Sequence, residues 1–337
     1  LGTRLRERDL SAAPAALNLL ESSTSADRQQ ARALLREVSP AVLGGEAPGH
    51  IVGITGPPGA GKSTLLSALL HAWRGGSDKA DGGHSVAMVG SSDKADGRRR
   101  SVAMLAVDPS SKSSGGSLLG DRARIEFDPA DRGVLIRSTA AGERLGGLAA
   151  GTRAAAQALA AAFDIVVIET VGVGQAETEV ADVADTVAVV VQPGSGDVLQ
   201  FLKSGIMETP DVLVVTKADL GQIALASRRD LNAALRSLGA KGAHSTRVLA
   251  VSSLPPAQGI DELVAALEEH HARLDLPARR LHARRAGALL DYGEEHGRRG
   301  LRAVGGRRGA ERILEQQDSG LDTQALVAIL EQAAEDR

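Results

Sequence analysis

An α/β fold, with a mostly parallel central sheet flanked by helices and further helices at both ends, is what this sequence predicts. Two observations carry that reading. From Ile51 onward, short β-branched runs alternate with Ala- and Leu-rich stretches: "IVGIT", "SVAMLAVD", "VLIRS", "DIVVIET", "TVAVVVQP", "DVLVVTK" and "RVLAVSS". Continuous apolar strands separated by helices need cover on both faces, which is the pattern of a parallel sheet. The first run also passes directly into "GPPGAGKST", Gly56 to Thr64, which opens the helical stretch "GKSTLLSALLHAW". That strand, glycine loop and helix match G-x-x-x-x-G-K-[ST], the phosphate-binding loop of P-loop NTPases.

The elements follow in order. Residues 1–47 form an N-terminal helical extension: "SAAPAALNLLE" and "SADRQQARALLREV" space apolar residues three and four apart, with Ser at the N-caps. The Gly/Pro-rich "GGEAPG" joins this extension to the P-loop domain, residues 48–275. Within it, "SDKADGGHSVAM" (Ser77 to Met88) is nearly repeated as "SDKADGRRRSVAM" (Ser92 to Met104). The second copy continues into "LAVDPSS" and is the strand, so residues 75–100 read as a surface insertion containing the spare copy. After "DLPARR", where Pro277 is a helix breaker, residues 276–337 are charged, helical in pattern and interrupted by "VGGRRG". They read as an arm rather than a core domain.

Composition narrows the function. The chain has 337 residues, 43% hydrophobic but only 1% aromatic, so its core is built of Ala, Val, Leu and Ile. A formal net charge of -3 gives no overall attraction to nucleic acid or acidic membranes. There is no cysteine, which excludes disulfides, thiolate metal sites and thiol catalysis and fits a reducing cytoplasmic setting. No apolar run reaches the roughly 20 residues that span a bilayer. Short basic clusters such as "GRRRS" lack aromatic partners and suit solvated faces.

The phosphate loop names its own chemistry. Gly56, Pro57, Pro58, Gly59, Ala60 and Gly61 let the backbone curl so that N–H groups face phosphates, and the following helix adds its positive end. Lys62 is placed to reach the outer phosphates, with Ser63 and Thr64 following, and Ser63 can put its hydroxyl on Mg²⁺. Mg²⁺ takes few carboxylates besides phosphate oxygens. Asp108 and Glu169, each ending an apolar strand, are the candidates, with Asp121 in the loop "SSKSSGGSLLGD" behind them. Next, "TVGVGQAE" has the form of a switch: Gly172 lets the backbone approach a γ-phosphate, and Gln175 can orient water. In "TKAD", Asp219 is placed to accept from the N1–H and amine of guanine, a donor pair adenine lacks. Lys217 lays its stem along the ring, and Ser252 in "VSSLP" lies near the base. Thr216 stands where guanine readers usually carry Asn; it has a hydroxyl for tying loops together but no amide.

Taken together, "GPPGAGKSTL", "AVDPSSKSSGGSLLGD", "RLGGLAAGTR", "IETVGVGQAETEVADVAD", "PGSGDVLQFLKSGIME" and "TKAD" occur in the order seen in the methylmalonyl-CoA-mutase-associated GTPases. The chain resembles that family, the bacterial MeaB/ArgK-type proteins and their mitochondrial counterpart, from about Pro48 to Leu274. The resemblance implies a SIMIBI-class P-loop GTPase using GTP/GDP and Mg²⁺, a homodimer held by its helical extensions, and a cytoplasmic protein. It implies a chaperone that gates adenosylcobalamin loading, and protects or reactivates a cobalamin-dependent acyl-CoA mutase. It also assigns Ser63, Asp108, Asp121 and Glu169 to the Mg²⁺ and switch positions, with Lys62, Gln175, Asp121 and Glu169 in hydrolysis. Asp197 and Lys203 match a mobile segment that couples nucleotide state to the mutase. Thr216, the Glu143–Arg144 pair in "AAGERLGG" and the insertion depart from the family pattern. Arg144 is the one arginine finger that can be nominated, on loop position alone.

Two other functions compete. A kinase accessory to amino-acid transport needs an acceptor pocket and an activating base, and neither is visible in the sequence. A metallochaperone GTPase needs thiol or imidazole ligands, yet the eight histidines are scattered. Their one adjacent pair, His270–His271, is on a helix, where neighbouring residues point apart.

Overall fold

The computed structural model describes residues 1–22, 24–75, 99–108, 125–140, 148–170, 179–194, 210–238 and 246–336. Four helices come first: α1 (Gly2–Arg6), α2 (Ala13–Glu21), α3 (Ser25–Glu37) and α4 (Pro40–Leu43). The expected serine caps are not used. Asp9 accepts from Ser11 N–H ahead of α2, and Thr24 accepts from Asp27 N–H at the start of α3. Each lies one or two residues outside the apolar period, where the chain is still extended and a side-chain oxygen can turn back onto the first N–H groups.

The sheet strands are β1 (His50–Thr55), β2 (Val102–Asp108), β3 (Val134–Ala140), β4 (Ile165–Thr170), β5 (Thr186–Val191), β6 (Val212–Val215) and β7 (Arg247–Ala250). All seven apolar runs of the sequence are strands. Their order is β3-β2-β4-β1-β5-β6-β7, and every pairing is parallel. Among the described residues, the helices that follow β1, β3, β6 and β7 are α5 (Lys62–Trp73), α6 (Ala150–Ala160), α7 (Gln222–Leu238) and α8 (Ile260–Arg273).

Alternate residues of each strand feed opposite faces. Val166 and Ile168 of β4 join a core with Leu17, Leu34, Leu159 and Leu231 from α2, α3, α6 and α7. Ile165 and Val167 join the other core, with Leu65, Leu69, Trp73 and Leu263 from α5 and α8. The N-terminal helices are therefore part of one face's core. Ala- and Val-rich composition suits this arrangement, because small and branched side chains let helices lie close on a doubly covered sheet.

The C-terminal region is α9 (Leu276–Ala303, with Gly297 at φ 60 inside it), α10 (Gly306–Glu315) and α11 (Thr323–Glu335). Two expectations change here. Pro277 sits in the first turn of α9, where no N–H is required, so it starts a helix and the break falls at Leu274–Asp275. The arm also has a small core of its own, with Ala288, Leu289, Tyr292, Val304, Leu314, Leu326 and Leu330 buried together.

Buried arginines lock this region to the sheet. Arg280 Nε and Nη2 donate to Asp185 Oδ1 and Oδ2 at 2.9 and 2.7 Å, and its Nη groups reach the carbonyls of Ala47 and Gly49 at 2.5 Å. Asp185 is fully buried and also accepts from Ile51 N–H at 2.8 Å. Beside them His271 stacks on His50, with centroids 4.1 Å apart, while His270 Nδ1 lies 2.9 Å from Thr186 Oγ1. The adjacent histidines do diverge, yet both end on the amino edge of the sheet, because the last turn of α8 closes over it. Burial holds His50 and His271 below the ordinary imidazole range. Arg153 of α6 pairs in turn with Asp291 of α9. A cavity of about 40 Å³ lined by Ala47, Ile51, Arg280 and Arg284 has room for a few waters and not for a metabolite. Among the described residues no helix is long and apolar enough to cross a membrane.

Candidate active site

The strands all run the same way, so their carboxyl ends, Thr55, Asp108, Thr170, Val191, Val215 and Ala250, share one edge of the sheet. Ligands of open α/β sheets bind at that edge, where the chain reverses its direction of travel across the sheet. β1 is central, with β4 on one side and β5 on the other, and the glycine loop leaves from its end.

Backbone demands set the loop's composition. A side chain at Gly56 would place its Cβ 2.1 Å from Val190 O, and Gly56 has φ 147. Gly61, at φ 89, precedes the first residue of α5 and turns the chain into the helix. Lys62, first in α5, is buried and donates from Nζ to Gly56 O at 2.7 Å and to Pro57 O at 3.1 Å. Its ammonium is thereby held over the mouth of the loop. Ser63 and Thr64 follow in the first turn.

Glu169 is buried in β4, its Cα in register with Ile54 of β1 on one side and Ala106 of β2 on the other. Thr55 and Thr170, at the ends of β1 and β4, each bury a hydroxyl oxygen without a hydrogen-bond partner. Glu169 alternates with Thr170 along β4, so its carboxylate faces the α5 side of the sheet and the two hydroxyls face the other. A strand-end carboxylate on that side is the kind of group a hydrated Mg²⁺ takes beside phosphate oxygens. Asp108 ends β2, as expected, and its side chain lies outside the described residues, as do Asp121, Gly172, Gln175, Asp197, Lys203, Glu143 and Arg144. Among the described residues one cluster has metal-ligand spacing, Glu295, His296 and Glu331. It is on the surface of the arm, where Arg28 and Arg32 already pair with the two glutamates.

The second half of the site comes from β6 and β7. Thr216 is buried and donates its hydroxyl to Ala60 O at 2.6 Å, with Val191 O at 3.2 Å. One hydroxyl thus ties the end of β6 to the phosphate loop. Lys217 follows at φ 54, in the left-handed region, and its Nζ lies 3.4 Å from Gly59 O and 2.8 Å from Gln192 Oε1. Asp219 is exposed at the edge, and Ser252 donates to its Oδ1 at 2.9 Å. Ala218 N–H bonds to Val251 O at 3.0 Å, which fixes the two strand ends to each other. β6 is two strands from β1, about 10 Å away at the usual strand spacing. That separation suits a nucleotide with its phosphates on one loop and its base on the other. Gln192, which the sequence pattern does not single out, follows the last apolar residue of β5 and meets Lys217 there.

The chain is similar to known proteins along most of its length. The sequence pattern of the family described as methylmalonyl Co-A mutase-associated GTPase MeaB matches residues 13–93 and 83–292. The two stretches overlap at 83–93. A Mycobacterium bovis protein described as "Probable GTPase" is 37% identical over 295 residues, covering 87% of this chain and 80% of that one. The mouse protein "Methylmalonic aciduria type A homolog, mitochondrial" is 36% identical over 224 residues, 64% of this chain and 48% of that one. Among solved structures, one described as an LAO/AO transport system kinase superposes with a TM-score of 0.62 at 25% identity, covering 98% of this chain and 94% of that one. With the family pattern spanning most of its length, the chain belongs to the MeaB family of methylmalonyl-CoA mutase-associated GTPases.

Proposed function

We propose that this chain is a GTP-driven chaperone that gates adenosylcobalamin loading and protects or reactivates a cobalamin-dependent acyl-CoA mutase. The observation that carries the GTP half is the bond from Thr216 to Ala60 O, because it joins the base-reading loop and the phosphate loop into one frame. Family membership supports the mutase half.

The residues divide the work. The loop from Gly56 to Gly61 presents N–H groups to the phosphates, with Thr64 at the same helix start, and Lys62 neutralises charge on the outer oxygens. Ser63 would hold Mg²⁺, with Glu169, Asp108 and Asp121 as its carboxylate surroundings; the ion supplies charge neutralisation across the β- and γ-phosphates. Gly172 and Gln175 serve the γ-phosphate and the attacking water. Asp219, positioned by Ser252, reads guanine, while Lys217 covers the ring. Asp197 and Lys203 pass the nucleotide state to the mutase. The helical extensions supply a homodimer contact, and the protein acts in the cytoplasm, away from nucleic acid and membrane.

The kinase description belongs to the relative that carries it. No acceptor pocket with an activating base is built beside the phosphate loop from the described residues. The test is binding of the purified chain to an adenosylcobalamin-dependent methylmalonyl-CoA mutase, with GDP and with a non-hydrolysable GTP analogue. A nucleotide-dependent change in affinity is expected; equal affinity in both states would remove the gating role.

A further inference from the structure

Arg153, in the first turn of α6, is 3% exposed, and its guanidinium meets three parts of the molecule at once. Nη1 donates to Leu148 O, and Nη2 donates to Asp291 Oδ1 of α9. Glu179 Oε2 lies 4.0 Å from Nη1 and accepts from Leu148 N–H at 2.6 Å. Side chains therefore hold both polar backbone groups of Leu148. Glu294 Oε2, 3.5 Å from Nη2, is exposed and adds little.

The connections that leave the carboxyl ends of β3 and β4 carry Arg144 and Gln175, and Leu148 and Glu179 are the first described residues past them. Val180, next in the chain, packs on the strand that carries the phosphate loop: a side chain at Gly53 would meet Val180 Cγ2 at 2.7 Å. On the far side, Asp291 Oδ2 also accepts from Gln324 Nε2 of α11 at 3.4 Å, so one carboxylate joins two helices of the arm to Arg153. Burial pushes the Asp291 carboxyl up from its ordinary range, with Arg153 pulling the other way. Two carboxylates, Asp291 and Glu179, thus compete for one buried guanidinium, and whichever loses it is left poorly compensated.

We propose that Arg153 is a positioning residue through which the arm sets the rate of GTP hydrolysis, by holding the ends of the two connections that carry Arg144 and Gln175. The inference deepens the proposed function and rests on Gln175 serving the attacking water there. While Asp291 engages Arg153, Glu179 is left to Leu148 N–H. When the arm withdraws Asp291, the guanidinium turns to Glu179 and the hold on Leu148 weakens. Arg153 acts through other residues, so the effect falls on turnover and not on nucleotide binding.

The test is steady-state GTP hydrolysis by the full chain, with GDP affinity and urea unfolding of each variant. D291N keeps the shape of the carboxylate and removes its charge. It is expected to lower kcat about tenfold, with KM and GDP affinity within about twofold of wild type. In an E179Q background the competing charge is gone, and D291N should cost less than about threefold. R153K keeps the charge but lacks the fork that spans Leu148 O and Asp291, and should match the kcat loss of D291N. Wild-type kcat in D291N would overturn the proposal, as would a change confined to KM or an equal kcat loss in both backgrounds. If D291N does not fold, R153K decides, and wild-type kcat there overturns it. Wild type that hydrolyses no GTP would sink the proposed function and the inference with it, whereas normal hydrolysis indifferent to D291N sinks the inference alone.

Discussion

Replacing Thr216 by Val removes one hydroxyl and almost nothing else, because the two side chains have nearly the same shape. The hydroxyl donates to Ala60 O at 2.6 Å, and Ala60 is fully buried. Val191 O keeps the N–H of residue 216 at 2.9 Å, so Ala60 O is the one acceptor left without its partner. An orphaned buried acceptor costs about 1–3 kcal/mol. Ala60 lies in the phosphate loop, so much of that cost should appear as looser loop order, which nucleotide binding must then restore. GDP affinity should fall by about 5- to 150-fold, the same energy written as a ratio. The assay is GDP titration of wild type, T216V and T216S, with urea unfolding of each. T216S keeps the hydroxyl and should bind within a few-fold of wild type. The reasoning is refuted if T216V matches wild type in both measurements, or if T216S is as impaired as T216V.

Two further outcomes follow from the junction between sheet and arm. R280M strips Asp185, which is fully buried, of a bidentate partner, and should cost about 3–5 kcal/mol in urea unfolding, as breaking a buried pair does; a loss below about 1 kcal/mol would contradict it. Burial keeps His50 neutral in the fold, with its folded pKa below the unfolded value of about 6.5. The unfolded chain therefore binds the extra proton first, and stability is present above pH ~6.5 and falls as pH drops below it, by up to about 1.4 kcal/mol per pH unit. Unfolding free energies across that range check this, and H50N should flatten the slope.

Much of this fold is legible because local pattern and global demand agree. The seven apolar runs are strands since a doubly covered parallel sheet leaves no polar face to disguise them. The glycine loop is equally plain, since Gly56 and Gly61 meet backbone conditions that few residues can. Caps were harder: Thr24 and Asp9 lie outside the apolar period, and nothing local separates them from Ser25 and Ser11. The arm's core was hidden by its charge, since Tyr292 and Leu326 are brought together by a turn of the chain that spacing does not record. Gln192 reaches Lys217 only through the register of β5 with β6, a contact between residues far apart in the sequence. Pairs such as Arg280 with Asp185, 95 residues apart, are likewise set by tertiary packing.

The central claim, that a guanine switch in this chain serves a mutase, is tested most directly by steady-state GTP hydrolysis with and without methylmalonyl-CoA mutase. Slow hydrolysis by the chain alone and a large rise when the mutase is added are expected, because a partner can supply or align the group that completes the site. A basal rate that the mutase leaves unchanged would contradict it.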